Sequence, residues 1–434
     1  MNWLFSWGVA LLVTLPVAFR LAEFAGKPVD LVASDLLFLL LIFVPKRRDL
    51  VIPRGIVLWR LSMVRVSAAV MLLYCGVLAS VAYAESSDMS RVASAIKFAK
   101  PLAFVMLGTF MAAVTPPVGM LRRISLAFAG MSVATFVTAV LTPGFPQVAW
   151  GKYLFGFPTY GYPNSVMTLF AIMVPFLLAG ADMRPTTLGK WSLRGIAGLT
   201  GMIVVVSLSR SSTATMACGV LLYLFLTGRL YLPVFAVVFG VMVLMTFSNA
   251  LDFITQNNDV AMWMERFTRR FSQTVGASDP LSGRGDLWAL TIDLWAERPV
   301  FGYAFESFSK YADVDTPHQQ YLEILYKSGA LGVALYGILM LTSFLGLLHL
   351  ARFSVARTEA WFLLRALNAA FCATMIGNLS QPNLTYSVTG NFLFFALGLA
   401  LNKHAAAALV TRSIRARPVR SRPLATLPHT APAA

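Results

Sequence analysis

Residues 328–350 read SGALGVALYGILMLTSFLGLLHL, an unbroken apolar run with no Asp, Glu, Lys or Arg. Wound as a helix at 1.5 Å per residue, it is long enough to cross the ~30 Å hydrocarbon core of a bilayer. Comparable runs recur on both sides of it. They predict twelve spans, at 3–21, 29–45, 66–84, 98–115, 124–142, 164–181, 195–209, 211–227, 230–248, 328–350, 361–380 and 386–402. The composition agrees: 58% of the 434 residues are hydrophobic and 12% are charged, far from the roughly 25% charged residues of a soluble domain. The expected fold is therefore an all-α integral membrane protein of about twelve transmembrane helices. The first run lacks a basic leader segment and is followed at once by others, so it is read as helix one and not as a cleaved signal.

The net charge of +16 would suggest nucleic acid in a soluble protein, but here the basic residues gather on alternate connections. Lys46, Arg47, Arg48, Arg54, Arg60 and Arg65 follow the second span. Arg122 and Arg123, then Arg184, Lys190 and Arg194, then Arg229, then Arg352 and Arg357 follow at every other connection. Positive residues mark the cytoplasmic side, so both termini are expected in the cytoplasm and no nucleic-acid partner is expected. Cys75, Cys218 and Cys372 fall in different spans without metal-type spacing. The division that results is 1–248 for spans one to nine, 249–327 for a large extracytoplasmic loop, 328–402 for spans ten to twelve, and 403–434 for an Arg- and Pro-rich tail expected to lack a core.

The loop carries most of the polar chemistry. Trp263, Phe267 and Phe271 share a face at i, i+4, i+8 beside Arg266, Arg269 and Arg270, the pattern of an interfacial helix, with Arg266 a candidate for an anionic lipid-linked substrate. Ser282-Gly283-Arg284-Gly285-Asp286 opens a helix expected to run through Arg298 to Pro299, with Leu287, Leu290, Leu294 and Trp295 as its apolar stripe. Arg284 then stands where backbone N–H groups favour an anion. Arg210, in the tight Ser209-Arg210-Ser211-Ser212 connection between spans seven and eight, is a charge at a membrane boundary amid hydroxyls, fit for bidentate bonds to a phosphate. Upstream, Trp150, Tyr153, Phe155, Phe157, Tyr160 and Tyr162 lead into Gly161-Tyr162-Pro163-Asn164, an interfacial aromatic belt or a platform for sugar rings or an isoprenoid chain.

Thr316-Pro317-His318-Gln319-Gln320-Tyr321 ends the loop. Thr316 and Gln319 have capping-box spacing, with Pro317 at the first helical position, so His318 is expected in the first turn of a helix that continues into span ten. His349, His404 and His429 all map to the cytoplasmic side, leaving His318 as the one histidine outside. A helix start and nearby guanidiniums disfavour the imidazolium and lower the pKa from its reference of about 6.5, unless Asp315 or Glu306 opposes them. A neutral imidazole there can take a proton from a sugar hydroxyl. Asp313-Val314-Asp315 has a spacing that can hold a divalent ion, but no third ligand-type side chain converges on it in the sequence. No metal and no cofactor is expected.

Three separated motifs, Gly161 to Asn164, Ser209-Arg210, and the loop from Ser282-Gly283-Arg284 to His318 and Gly329, resemble the lipopolysaccharide O-antigen ligase (WaaL) family. That family lies within a superfamily that includes O-antigen polymerases and protein O-oligosaccharyltransferases. The resemblance covers roughly residues 30–400. It implies a GT-C-like, inverting, metal-independent glycosyltransferase of the bacterial inner membrane with its active site in the periplasm. The donor is then an undecaprenyl-pyrophosphate-linked glycan and the acceptor lipid A-core. His318 matches the family's essential histidine, and Arg210 and Arg284 match the donor-engaging arginines, with Arg266 and Asn164 as further substrate contacts. Gln319 departs from the Asn or Ser that many relatives carry there. An O-antigen polymerase or a protein oligosaccharyltransferase shares the pattern. A transporter or flippase fits the hydropathy alone but would call for matching halves and ionisable residues at mid-membrane.

Overall fold

The computed structural model describes residues 2–15, 18–24, 27–40, 58–141, 153–154, 157–158, 163–207, 209–229, 284–383, 387–402 and 405. Helix α1 (Asn2–Thr14) is followed by an antiparallel pair, β1 (Ala18–Phe24) and β2 (Lys27–Val32), a 3₁₀ turn at Ala33–Asp35 and the short α2 (Leu36–Leu40). This corrects the spans expected at 3–21 and 29–45. The first helix stops at Thr14, two residues before Pro16, which cannot continue it. The hairpin takes a stretch bearing Arg20, Glu23, Lys27 and Asp30, charges that a transmembrane helix would have to carry into hydrocarbon. Its register sets Arg20 opposite Asp30.

Long helices then alternate: α3 (Leu58–Ser86), α4 (Met89–Val114), α5 (Pro117–Leu141), α6 (Pro163–Asp182), α7 (Thr187–Val206) and α8 (Arg210–Leu226). A second, minimal hairpin, β3 (Tyr153–Leu154) with β4 (Phe157–Pro158), lies in the aromatic segment before α6. After it come α9 (Arg284–Glu297), α10 (Gln320–Phe353), α11 (Glu359–Gly377) and α12 (Ser387–Ala400). Residues 41–45 of the second expected span and all of the ninth, 230–248, lie outside the described residues. Among the described residues, five helices are long and apolar enough to cross a membrane, α3, α4, α5, α10 and α11, and α1, α6, α8 and α12 are shorter apolar helices. The chain is a helical, multi-pass membrane protein.

The bundle is sorted by which helices bury every face. Leu169, Phe170, Ala171, Ile172 and Met173 of α6 and Phe392 to Leu397 of α12 are all within 1% of fully buried, as expected of helices that are apolar all round. By contrast, Val66, Val70, Leu73 and Val77 form an exposed stripe along α3 at i, i+4, i+7, i+11, a lipid-facing surface. α12 lies directly on α4. A Cβ on Gly108 would fall 2.1 Å from the Phe395 carbonyl oxygen and one on Gly398 2.1 Å from that of Val105, so the backbones touch. Thr109 Oγ1 donates to the Gly398 carbonyl across the contact at 3.2 Å, the small-residue packing by which helices associate without a hydrophobic driving force between them.

Ion pairs tie both ends of the bundle. At one end Asp182, with a side chain 2% exposed, accepts from Arg229 (2.6 Å), Arg194 (3.4 Å) and the Tyr223 hydroxyl (2.9 Å), joining α6, α7 and the end of α8. Asp182→Ala removes the carboxylate shared by two guanidiniums that are only 26–30% exposed. It should lower unfolding stability in detergent by about 3 kcal/mol, the lower end of the range for breaking a buried pair. An unchanged melting temperature would show that the cluster holds nothing together. At the other end Arg91 of α4 meets Glu306 at 2.9 Å, and Lys310 meets the same carboxylate at 2.5 Å, clamping the segment after α9 to the bundle.

Candidate active site

The platform of the site is a break in α10. Gly329 has φ 67° and ψ −170°, a conformation essentially confined to glycine. It divides the helix into a polar half before it and a membrane span after it. Interrupting a helix frees backbone groups that must find partners elsewhere, and here five of them have partners outside the helix. The carbonyls of Tyr326 and Lys327 accept from the amides of Tyr303 (2.8 Å) and Phe305 (3.2 Å), and that of Ser328 accepts from the Tyr74 hydroxyl of α3 (2.6 Å). The amides of Ala330 and Leu331 donate to the carbonyls of Pro299 (2.9 Å) and Val300 (3.3 Å). The fit leaves no room for a Cβ: one on Gly329 would lie 2.2 Å from the Val300 oxygen, and one on Gly302, itself at φ 64°, 2.5 Å from the Tyr326 oxygen. A small core of Leu294, Tyr303, Phe308 and Tyr326 seals the joint, with Tyr303 stacked on Tyr326 at 5.1 Å.

His318 stands just ahead of this half-helix. The helix starts at Gln320, not near Thr316: Gln319 is the N-cap, and its side chain accepts from the Leu322 amide at 2.9 Å. Thr316 instead turns the chain locally, its hydroxyl accepting from the His318 amide at 3.3 Å. The N-cap therefore lies three residues later than the expected capping box put it, at Gln319 in place of Thr316, and His318 lies outside the helix with φ 54°. A left-handed residue other than glycine costs roughly 1–2 kcal/mol, and such strain persists where the surroundings impose it. They do so on both sides. The Pro317 carbonyl accepts from Trp288 Nε1 of α9 (3.1 Å), and the Gln320 amide donates to the Asn378 carbonyl (3.0 Å).

The imidazole of His318 is half-buried, and its pKa is pushed below the usual histidine value, first by that burial, then by the Arg284 guanidinium, with Glu323 opposing. The direction is the one expected from the sequence, but burial leads, and the opposing carboxylate is neither of those anticipated. Glu306 is taken by Arg91 and Lys310, Asp315 is exposed, and Glu323, 2% exposed and paired with Lys327, is the acid whose charge opposes the lowering. A base must be neutral, so a reaction using His318 should fail as pH drops through this lowered pKa. Arg284→Gln removes one cause of the lowering. The acid limb of the normalised pH–rate profile should then move to higher pH, and a limb that stays in place or moves down would show that Arg284 does not act on the ring.

Arg284 is the first residue of α9, as its sequence context implied, and its Nη1 donates to the Ser380 carbonyl at 3.1 Å. Arg210 is the first residue of α8. Ser209 is the N-cap there but makes no side-chain cap; its hydroxyl goes to Ser212 Oγ at 2.8 Å. Asn164 lies in the first turn of α6. The side chains of Arg210 and Asn164, and the whole of Arg266, lie outside the described residues. Asp313 and Asp315 are both exposed, and among the described residues no three His, Cys, Asp or Glu side chains are grouped as a metal site would require.

Sequence reasoning missed the turn Asn378-Leu379-Ser380-Gln381-Pro382-Asn383, which accepts from both Gln320 and Arg284. Its first three residues fall at the end of the span expected at 361–380, and the rest in the short connection before 386, to which no role was assigned. The signal was present in the composition, since Asn, Ser, Gln, Pro and Asn within six residues punctuate an apolar region.

Residues 195–337, from α7 past the break in α10, match the family model described as O-antigen ligase. The matched stretch is about a third of the chain, and over it the sequence is similar to the O-antigen ligase/polymerase superfamily. Members of this superfamily are glycosyltransferase-like enzymes acting on O-antigen. The matched residues take in Arg210, Arg284, His318 and Gly329 and end before the Asn378–Asn383 turn. None of the curated proteins compared with the chain matches it. A chain from a solved structure described as "Structural coordination of polymerization and crosslinking by a peptidoglycan synthase complex" is similar at 13% identity with a TM-score of 0.43, over 80% of this chain and 98% of that one, a likeness too loose to equate the two folds.

Proposed function

We propose that the protein is an O-antigen ligase, moving a glycan from undecaprenyl pyrophosphate to a sugar hydroxyl of lipid A-core. The observation that supports this most directly is His318: half-buried, held in a left-handed conformation and kept toward its neutral form by that burial and by the charge of Arg284. In the proposed step the acceptor oxygen attacks the anomeric carbon from the face opposite the leaving group. The new C–O bond forms as the C–O bond to the pyrophosphate breaks, and the configuration inverts. The hydroxyl proton passes to His318 and from there to water. The electron pair leaves with undecaprenyl pyrophosphate, whose charge is met by Arg284 and Arg210, with Arg266 and Asn164 as further contacts. Two guanidiniums supply the charge stabilisation that such a departure needs, so the reading calls for neither a metal nor a cofactor.

The alternation of basic connections supports an inner-membrane protein with this site in the periplasm, both termini in the cytoplasm and residues 249–327 as the loop over the membrane. The test is the lipopolysaccharide of a deletion strain. Loss of a ligase leaves bare core, and re-expression restores the ladder. Core bearing a single repeat unit would instead identify a polymerase, and an intact ladder with unglycosylated periplasmic proteins would identify a protein oligosaccharyltransferase.

A further inference from the structure

We propose that the turn Asn378–Asn383 is a positioning element of this site, setting the start of α8, and with it Arg210, relative to Arg284 and His318. The inference rests on the reading of those three residues as groups that handle donor and proton. The turn has a hold on each part. The Asn378 carbonyl accepts from Gln320, two residues after His318, and the Ser380 carbonyl accepts from Arg284. Asn383 Oδ1 accepts from Thr168 Oγ1 of α6 at 3.2 Å, Thr168 Oγ1 shares a hydrogen bond with Ser212 Oγ at 3.1 Å, and Ser212 Oγ accepts from Ser209. Ser209 and Ser212 bracket Arg210 in the first turn of α8. The turn thus joins, through hydrogen bonds that are buried on the side of α8, three connections that are far apart in sequence.

The turn also concentrates hydrogen-bonding capacity that the protein does not use elsewhere. Ser211 Oγ, Thr215 Oγ1, Asn378 Oδ1, Gln381 Oε1 and Asn383 Nδ2 are buried without a hydrogen-bond partner among the described residues. All five residues are at most 8% exposed. Ser211 and Thr215 lie one turn apart on the same face of α8, and a Cβ on Gly377 would fall 2.3 Å from Thr215 Oγ1 and 3.0 Å from Asn383 Nδ2. Gly377 therefore keeps open the gap in which α8 meets the turn. Buried polar groups of this kind specify one arrangement when they are satisfied and weaken the packing when they are not, so the junction serves alignment better than it serves stability.

The test compares purified full-length wild type, Thr168→Val and Thr168→Ser, using farnesyl diphosphate as the binding probe and lipid-linked glycan as the substrate. Valine keeps the shape and removes the hydroxyl link, and serine keeps the link. Thr168→Val should raise the Kd for farnesyl diphosphate and the KM for the donor by about three- to ten-fold, the effect of one lost neutral hydrogen bond. The acid limb of the pH profile, set at His318, should stay where it is, and Thr168→Ser should restore both constants. Wild-type constants in Thr168→Val, or equal losses in the valine and serine variants, would overturn the proposal. If Thr168→Val does not elute as wild type does, Ser212→Ala, a smaller change one link further on, carries the same expectation. A wild type that transfers no glycan while Thr168→Val still weakens farnesyl diphosphate binding would sink the ligase reading and leave the positioning role standing.

Discussion

His318→Asn should reduce glycan transfer by about 10²- to 10⁴-fold, the usual contribution of a positioned general base, while the protein still inserts and folds. Asparagine is the more informative replacement because it tolerates the left-handed backbone that His318 adopts at φ 54°, whereas alanine adds strain of its own. The loss should fall on kcat. The hydrogen bond from the Arg284 guanidinium to Ser380 and those of the main chain at Pro317 and Gln320 do not pass through the imidazole, so donor KM should change little. Transfer measured per inserted molecule decides the matter. A His318→Asn protein at the wild-type rate would remove the base from the mechanism and leave the site as a binding surface only.

Gly329→Ala should be the most damaging change to the fold, by more than about 4 kcal/mol, in the range reserved for a named structural conflict. Two costs add. Alanine cannot adopt φ 67°, ψ −170° without severe strain, and its methyl would sit 2.2 Å from the Val300 oxygen. Relieving the second requires the Pro299–Phe305 segment to lift, which breaks the hydrogen bonds that satisfy both sides of the break. Melting in detergent should show the loss, and amide exchange at Ala330 and Leu331 should accelerate with it. A variant with the wild-type melting temperature would mean that the two halves of α10 can straighten into one helix at little cost.

The spans legible in the sequence were those whose apolar runs carry no internal conflict. α6 at Pro163–Asp182, α8 at Arg210–Leu226 and α12 at Ser387–Ala400 fall within one or two residues of where hydropathy set them. Residues 18–32 were misread because the apolar fraction there is high enough to imitate a span, while the deciding facts, four charges and a following β pairing, act only when the stretch must choose a partner. His318 and Arg284 were legible because each is isolated in type or position, and a charge or a histidine in an apolar chain has few reasons to be there. The details around them were not. Whether Thr316 or Gln319 caps the helix depends on Trp288 and Asn378 holding the backbone from either side. The identity of the carboxylate opposing Arg284 depends on Arg91 having already claimed Glu306. The turn at Asn378–Asn383 escaped because its contacts span up to 215 residues of sequence, a separation over which local pattern carries no information.

The break at Gly329 also bears on how the chain enters a membrane. The residues from Gln320 to Ser328 include the paired Glu323 and Lys327, and from Ala330 onward no charged residue appears until Arg352. Had α10 been one straight rod, its first two turns would have extended the apolar segment and pressed an ion pair toward lipid during insertion. With the helix divided, the stretch after Gly329 is long and uncharged enough to partition into the bilayer alone. The histidine and its half-helix can then be folded against α9 afterwards, so one glycine separates the part of the chain that lipid selects from the part that the rest of the protein must arrange.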